Sequence, residues 1–136
     1  RYPATSAILD GLPLYRIGGT PVEALFSVLK PHTRIPPHQG TSNTRLTVHL
    51  PLIVPRDCTL TVNGEARAVA AGKVMAFDDS FMHEAENGSD DVRIVLIFEV
   101  WHPDLTPAER HVVERSHRLY AEWAHDATLI DAINRA

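Results

Sequence analysis

Between Val22 and Trp101 no periodicity is sustained for long: short runs of alternating residues are broken again and again by Pro, Gly, Asn and Asp. Val22 to Lys30, Leu46 to Val54, Leu60 to Val62, Ala66 to Val69, Val74 to Phe77, Phe81 to Ala85 and Val92 to Trp101 read as strands. Asn63-Gly64 is the strongest two-residue hairpin signal, because both residues tolerate the positive φ of a type I′ turn. Strands this short and this closely spaced predict a sandwich or jelly roll. In the run from Val22, Ser27 shares a face with Glu23, Leu25 and Leu29, and in the run from Leu46, His49 points away from the Leu46 face. A hydroxyl on an apolar face needs a partner or a ligand once buried.

Outside this region the signals change. Residues 1 to 13 mix Pro3, Gly11 and Pro13 around Ala7-Ile8-Leu9, a short helical turn or irregular lead-in, and Tyr15 to Ile17 is strand-like. Pro31, Pro36 and Pro37 form a stiff approach to His38 that cannot be a central strand throughout, because proline lacks the ladder donor. Thr106-Pro107-Ala108-Glu109 is a capping box with proline at the first helical position, so a helix is expected to about Ala124, and Asp126 can cap a second one carrying Leu129, Ile130 and Ile133 inward. The reading is one domain over residues 1–136, with a β core to about 105 and a helical tail from about 106 to 136. A chain of this length buries roughly 68 to 70% of its unfolded surface, enough for a single core.

A net charge of -4 gives no basic footprint for phosphate neutralisation, which argues against nucleic acid and against an anionic membrane surface as partners. The longest purely apolar run, Ile94 to Phe98, is far below the roughly 20 residues that span a bilayer. Cys58 is the only cysteine, so no disulfide forms within the chain, and a reducing cytoplasm is the simplest setting. The chain begins at Arg1, not at a methionine, which leaves room for a preceding signal, anchor or domain.

His38 and His83 each adjoin a strand-like run, 45 positions apart, where two imidazoles can converge on one metal. Non-haem Fe(II) oxygenases use two histidines and a carboxylate on one face of the ion. The carboxylate usually stands two residues after the first histidine, and that place is Gly40. A water held by Asp79, or an external anion such as chloride, can fill the position.

Residues 26 to 106, about 60% of the chain, resemble the aspartyl/asparaginyl β-hydroxylase family of 2-oxoglutarate-dependent Fe(II) dioxygenases. The resemblance is carried by Pro37-His38-Gln39-Gly40, Asn43-Thr44-Arg45-Leu46, His49-Leu50, Gly72-Lys73, Phe77-Asp78-Asp79-Ser80-Phe81-Met82-His83-Glu84 and Trp101-His102-Pro103-Asp104-Leu105-Thr106. It implies a double-stranded β-helix (jelly roll, cupin-like), Fe(II) held by His38 and His83 with glycine at the carboxylate position, and 2-oxoglutarate as cosubstrate. Arg93 matches the arginine on the distal carboxylate of 2-oxoglutarate, Ser27 the serine assisting it, and His49 a histidine at the keto-acid end. The family pattern has a second arginine two residues before that histidine. Here the position is Thr47, and Arg45 is the candidate substitute if it points inward.

The implied reaction is hydroxylation of an unactivated carbon, with the β-carbon of an aspartyl, asparaginyl or similar amino-acid, peptide or small-molecule substrate as first choice. The rival readings are a halogenase using the open Gly40 position and a non-catalytic cupin-like binding or sensor domain. Oligomeric state has no signature in the sequence.

Overall fold

A computed structural model describes residues 2–124. Helix α1 (Pro3–Asp10) leads into a two-residue ladder of β1 (Arg16–Ile17) and β2 (Thr20–Pro21). Then come β3 (Ala24–Leu29), β4 (Thr33–His38), β5 (Arg45–Ile53), β6 (Cys58–Val62), β7 (Glu65–Ala68), β8 (Met75–Phe77), β9 (His83–Asn87) and β10 (Arg93–Trp101), followed by α2 (Pro107–Ala124). The strands form two antiparallel four-stranded sheets, ordered β3-β10-β5-β8 and β4-β9-β6-β7. This is the jelly-roll layout expected from the strand spacing. The second helix expected after Asp126 lies outside the described residues.

Alternation along the first sheet explains its two faces. Even-numbered Phe26, Val48, Leu50, Leu96, Phe98 and Val100 pack on its outer surface against Leu9 of α1 and Leu14. The odd-numbered residues therefore face the opposite sheet, and several of them are polar: Ser27, Thr47, His49, Arg93 and Glu99. A second apolar cluster of Cys58, Leu60, Val69 and Ala85, with Ile35, Val62, Met75 and Phe77 packed on it, closes the space between the sheets. Each sheet thus keeps its hydrogen-bonded ladder while the interior has an apolar part and a polar part.

The turns follow local chemistry. Asn63 and Gly64 take φ values of +49° and +81° in the β6–β7 hairpin, and the Asn63 N–H donates to the Met82 carbonyl at 2.8 Å, which ties this hairpin to the loop before His83. Pro36 and Pro37 sit in β4, an edge strand, at the irregularity where pairing with β9 skips from Ile35↔Ala85 to His38↔His83. The prolines are tolerated because the missing donors fall on an edge and in a break of the ladder. That break brings the two histidines opposite one another.

The capping box before α2 forms as expected: Thr106 N–H and Oγ1 both donate to Glu109 Oε2 at 2.7 Å, and the Glu109 N–H donates back to Thr106 Oγ1. The helix packs against the β1 hairpin, where the Gly18 N–H donates to Glu114 Oε1 at 3.0 Å and Tyr15 Oη bonds His117 Nε2 at 2.8 Å. His117 is exposed and at the same time a docking contact of the helix. Trp123 and Tyr120, the aromatic residues of this helix, lie against each other at 5.7 Å and stay 45% and 66% exposed. At the other end of the barrel, fully buried Asn87 donates to the carbonyls of Leu29, Lys30 and Asp91 and accepts from the Ser89 hydroxyl and the Cys58 thiol. This one amide fastens the β3–β4 connection to the turn before β10.

Candidate active site

A cavity of about 260 Å³ opens between the two sheets, lined by Ser27, Thr47, His49 and Arg93 from the first sheet and by His38 and His83 from the second, with Glu23 from the residues just before β3 and Gly40 and Asp79 from loops. His38 and His83 face one another at 4.1 Å between ring centroids. Each Nδ1 lies 2.8 to 2.9 Å from a backbone carbonyl two residues back, that of Pro36 for His38 and that of Phe81 for His83. A carbonyl only accepts, so Nδ1 carries the proton in both rings and the lone pair is left on Nε2. Two oriented imidazoles with free Nε2 lone pairs are what a divalent transition metal requires of its ligands. Among the described residues no group of three or more His, Cys, Asp and Glu side chains forms a ready-made metal cage.

Gly40 and Asp79 are a matched pair. The Gly40 N–H donates to the Asp79 carbonyl at 2.7 Å, and a Cβ placed on Gly40 would lie 2.4 Å from Asp79 Cγ. The place a side chain at 40 would take is filled by the carboxylate of Asp79, whose Oδ1 is buried with no hydrogen-bond partner. Negative charge is thus present beside the histidines, contributed by the β8–β9 loop in place of residue 40.

Arg93 is 2% exposed and its Nη1 has only two long contacts, to the Thr59 and Glu86 carbonyls at 3.4 and 3.5 Å. It makes no ion pair with a carboxylate among the described residues. Burial pushes its pKa down, the signature of a guanidinium held away from water without a full set of acceptors. Its proximity to Asp90 and Asp91 in sequence does not become a surface ion pair. Asp90 pairs instead with His32.

His49 is 8% exposed and its pKa is pushed down to about 4, first by burial and then by the charges of Arg93 and His83. It is neutral at pH 7. Because the folded pKa lies below the ordinary value of 6.5, the unfolded chain binds a proton that the folded chain refuses between pH 6.5 and about 4. Stability is therefore expected to fall as pH drops through that window, by roughly 3 kcal/mol over the full shift. Urea denaturation of metal-free protein at pH 7 and pH 4.5 checks this, with His49→Gln showing a smaller loss.

Arg45 does not line the cavity. Its Nε donates to Glu99, its Nη2 lies 3.7 Å from Asp79 Oδ2, and its guanidinium stacks over the Tyr15 ring at 5.6 Å. Burial alone would lower its pKa, but Glu99 and Asp79 outweigh this and hold it above its ordinary value. Glu99, 2% exposed, is pushed up by burial against the pull of Arg45, and Glu23 and Asp79 add to the rise. The substitute role expected of Arg45 is thus replaced by a brace: it ties Asp79 to β10. Phe77 packs on two of the cavity's histidines from outside the lining, with its ring edge-on to His49 at 5.3 Å and to His83 at 5.1 Å.

Sequence reading did not single out Glu23 or Glu99. Glu23 was already on the Ser27 face, and its polarity there was the available signal.

The profile of Aspartyl/Asparaginyl beta-hydroxylase matches residues 1–103. The chain belongs to this family. It is 37% identical over 109 residues to the human Aspartyl/asparaginyl beta-hydroxylase, covering 79% of the chain and 14% of that protein. It is 39% identical over 117 residues to the mouse Aspartate beta-hydroxylase domain-containing protein 1, covering 84% of the chain and 32% of that protein. The chain therefore spans less than a third of the length of each of these relatives. In fold it is similar to a cupin protein from Bacteroides fragilis, with a TM-score of 0.53 at 18% identity over 64% of the chain and 71% of its counterpart. A protein from Photorhabdus luminescens gives 0.51 at 14% identity over 79% and 76%. These likenesses establish the cupin-type jelly roll, and the family match covers the whole cavity described above.

Proposed function

We propose that the chain is a 2-oxoglutarate- and Fe(II)-dependent dioxygenase that hydroxylates an unactivated carbon of an amino-acid-like or peptide substrate. The observation that carries this reading is Arg93: a buried guanidinium without a carboxylate partner, opening into the same cavity as two imidazoles with fixed tautomers. A dicarboxylate keto acid suits that arrangement, one carboxylate for the guanidinium and a keto-acid end for a metal.

His38 and His83 would hold the iron through Nε2. Arg93 would hold the distal carboxylate by charge-assisted hydrogen bonds, aided by the Ser27 hydroxyl, which stands on β3 opposite Val95, one strand from Arg93. His49, neutral and buried, would contribute a hydrogen bond without adding charge at the keto-acid end. Asp79, braced by Arg45 and fitted against Gly40, would orient a water with its unpartnered Oδ1. When bound, Fe(II) with 2-oxoglutarate and oxygen supplies the oxidising power that converts C–H to C–OH, with release of carbon dioxide and succinate. The protein's share is orientation and exclusion of water.

The Asp79 carboxylate beside Gly40 disfavours the halogenase reading, since a halide there would meet a negative charge at close range. The facing histidine pair and above all buried Arg93 weigh against a purely structural cupin, because an unpaired buried charge is costly unless a ligand uses it. Succinate formation from 2-oxoglutarate, with added Fe(II) and ascorbate, tests the proposal. His83→Ala and Arg93→Ala are expected to lower it by at least about 100-fold. Unchanged succinate production in either variant would sink the reading.

A further inference from the structure

The cavity is polarised along its length. Arg93 lies at one end, while at the other end Glu23, just before β3, and Thr47 of β5 line the cavity with Glu99 of β10 between them behind the lining: the Glu99 N–H donates to the Glu23 carbonyl at 3.4 Å, and Glu99 pairs with Thr47. His83 stands on the opposite sheet at that end, against Phe77, which itself pairs with Thr47. Asp79 joins the same end from its loop. Two of these carboxylates, Glu99 and Asp79, engage the guanidinium of Arg45, which does not line the cavity. Glu23 lines the cavity and has no cationic partner among the described residues. Glu99 Oε2 and Asp79 Oδ1 are buried without partners.

Thr47 sharpens the point. It is 8% exposed, lines the cavity and stands where the family pattern has an arginine, so β5 places no cation in the cavity lining at this level. A substrate carboxylate brought to the histidines here would face Glu23, which no cation at this end of the cavity lining balances. Like charges juxtaposed in a partly desolvated site repel strongly, and opposite charges give the reverse preference.

We propose that Glu23 is a specificity-determining residue that binds a cationic group of the substrate, a protonated amine or a guanidinium, so that the chain accepts a basic substrate where an acidic one is rejected. This rests on the oxygenase reading for the chemistry, but the selection of charge belongs to Glu23 itself.

The test is equilibrium binding by calorimetry to the whole chain loaded anaerobically with Fe(II) and 2-oxoglutarate, and to the metal-free chain. The probes are capped peptides identical except for a central Lys, Arg, Asp or Asn, with free lysine and arginine as a second arm that separates a small-molecule amine from a peptide side chain. The wild-type chain is expected to bind the Lys and Arg probes of at least one arm at least about tenfold tighter than the Asp peptide. Glu23→Gln is expected to erase most of that preference and Glu23→Lys to reverse it. Equal affinities, preference for Asp, absence of binding by both Lys probes, or a Lys preference that survives Glu23→Lys overturns the proposal. Binding of 2-oxoglutarate is read separately in the loading step. Its absence overturns the oxygenase reading, while a cationic preference on metal-free protein still supports Glu23.

Discussion

Replacing Arg93 by methionine is expected to weaken 2-oxoglutarate binding severely while making the ligand-free protein more stable. The two effects share one cause. Arg93 is 2% exposed, its backbone contacts are long, and no carboxylate among the described residues neutralises it. Removing such a charge in favour of an apolar side chain of similar length relieves its desolvation, and replacements of buried ionic groups by apolar ones stabilise by about 1 to 4 kcal/mol. Loss of the charged partner of a buried carboxylate costs about 2 to 5 kcal/mol of binding, which corresponds to affinity losses from about 30-fold to several thousand-fold. Urea unfolding and anaerobic titration with 2-oxoglutarate measure the two sides. A methionine variant both destabilised and unimpaired in binding would mean that Arg93 is a structural residue.

The second large effect concerns Gly40. Introducing aspartate there would nominally supply the carboxylate missing from a two-histidine, one-carboxylate site, yet activity is expected to be lost. The new Cβ would lie 2.4 Å from Asp79 Cγ, so Asp79 has to leave its place against Gly40, weakening its pairing with Arg45 and setting two carboxylates in one pocket. Overpacking of this kind costs about 1 to 3 kcal/mol, and the like charges add to it. Gly40→Ala is expected to show the steric part alone. The double variant Gly40→Asp with Asp79→Gly is expected to recover most of the lost stability, since the clash and the repulsion vanish together. If the single aspartate variant is as stable and as active as the wild type, Asp79 does not occupy the space assigned to it.

These expectations show which layers of the molecule were legible from residues in order. The alternation in β3 and β5 placed Ser27 and His49 on the interior face, and the Thr106–Glu109 box and the Asn63-Gly64 turn formed where local chemistry demands. The family blocks around His38 and His83 did what spacing could not, since 45 intervening residues say nothing about convergence. What stayed hidden is long-range and pairwise. Arg45 and Glu99 are 54 residues apart and Tyr15 and His117 are 102 apart, so neither pair leaves a local pattern. Arg45 was the candidate substitute for the arginine missing at Thr47 if it pointed inward; its side chain is claimed by Glu99 on the adjacent strand. Asn87 leads a run of turn residues, Asn87-Gly88-Ser89-Asp90, in which nothing local marks an amide that bonds three carbonyls, a hydroxyl and a thiol.

Pro36 and Pro37 have a further role besides breaking the β4 ladder before His38. β4 is one border of its sheet, and a bare border is a template on which a second chain can add a strand. Two consecutive residues without N–H groups deny an incoming strand its donors along that stretch. At the other border, β7 carries Glu65 and Arg67 on a short exposed strand, a different guard for the same hazard. The kink that brings His38 to His83 therefore also protects against self-association, and replacing both prolines would put at risk the solubility of the chain together with the geometry of its histidines.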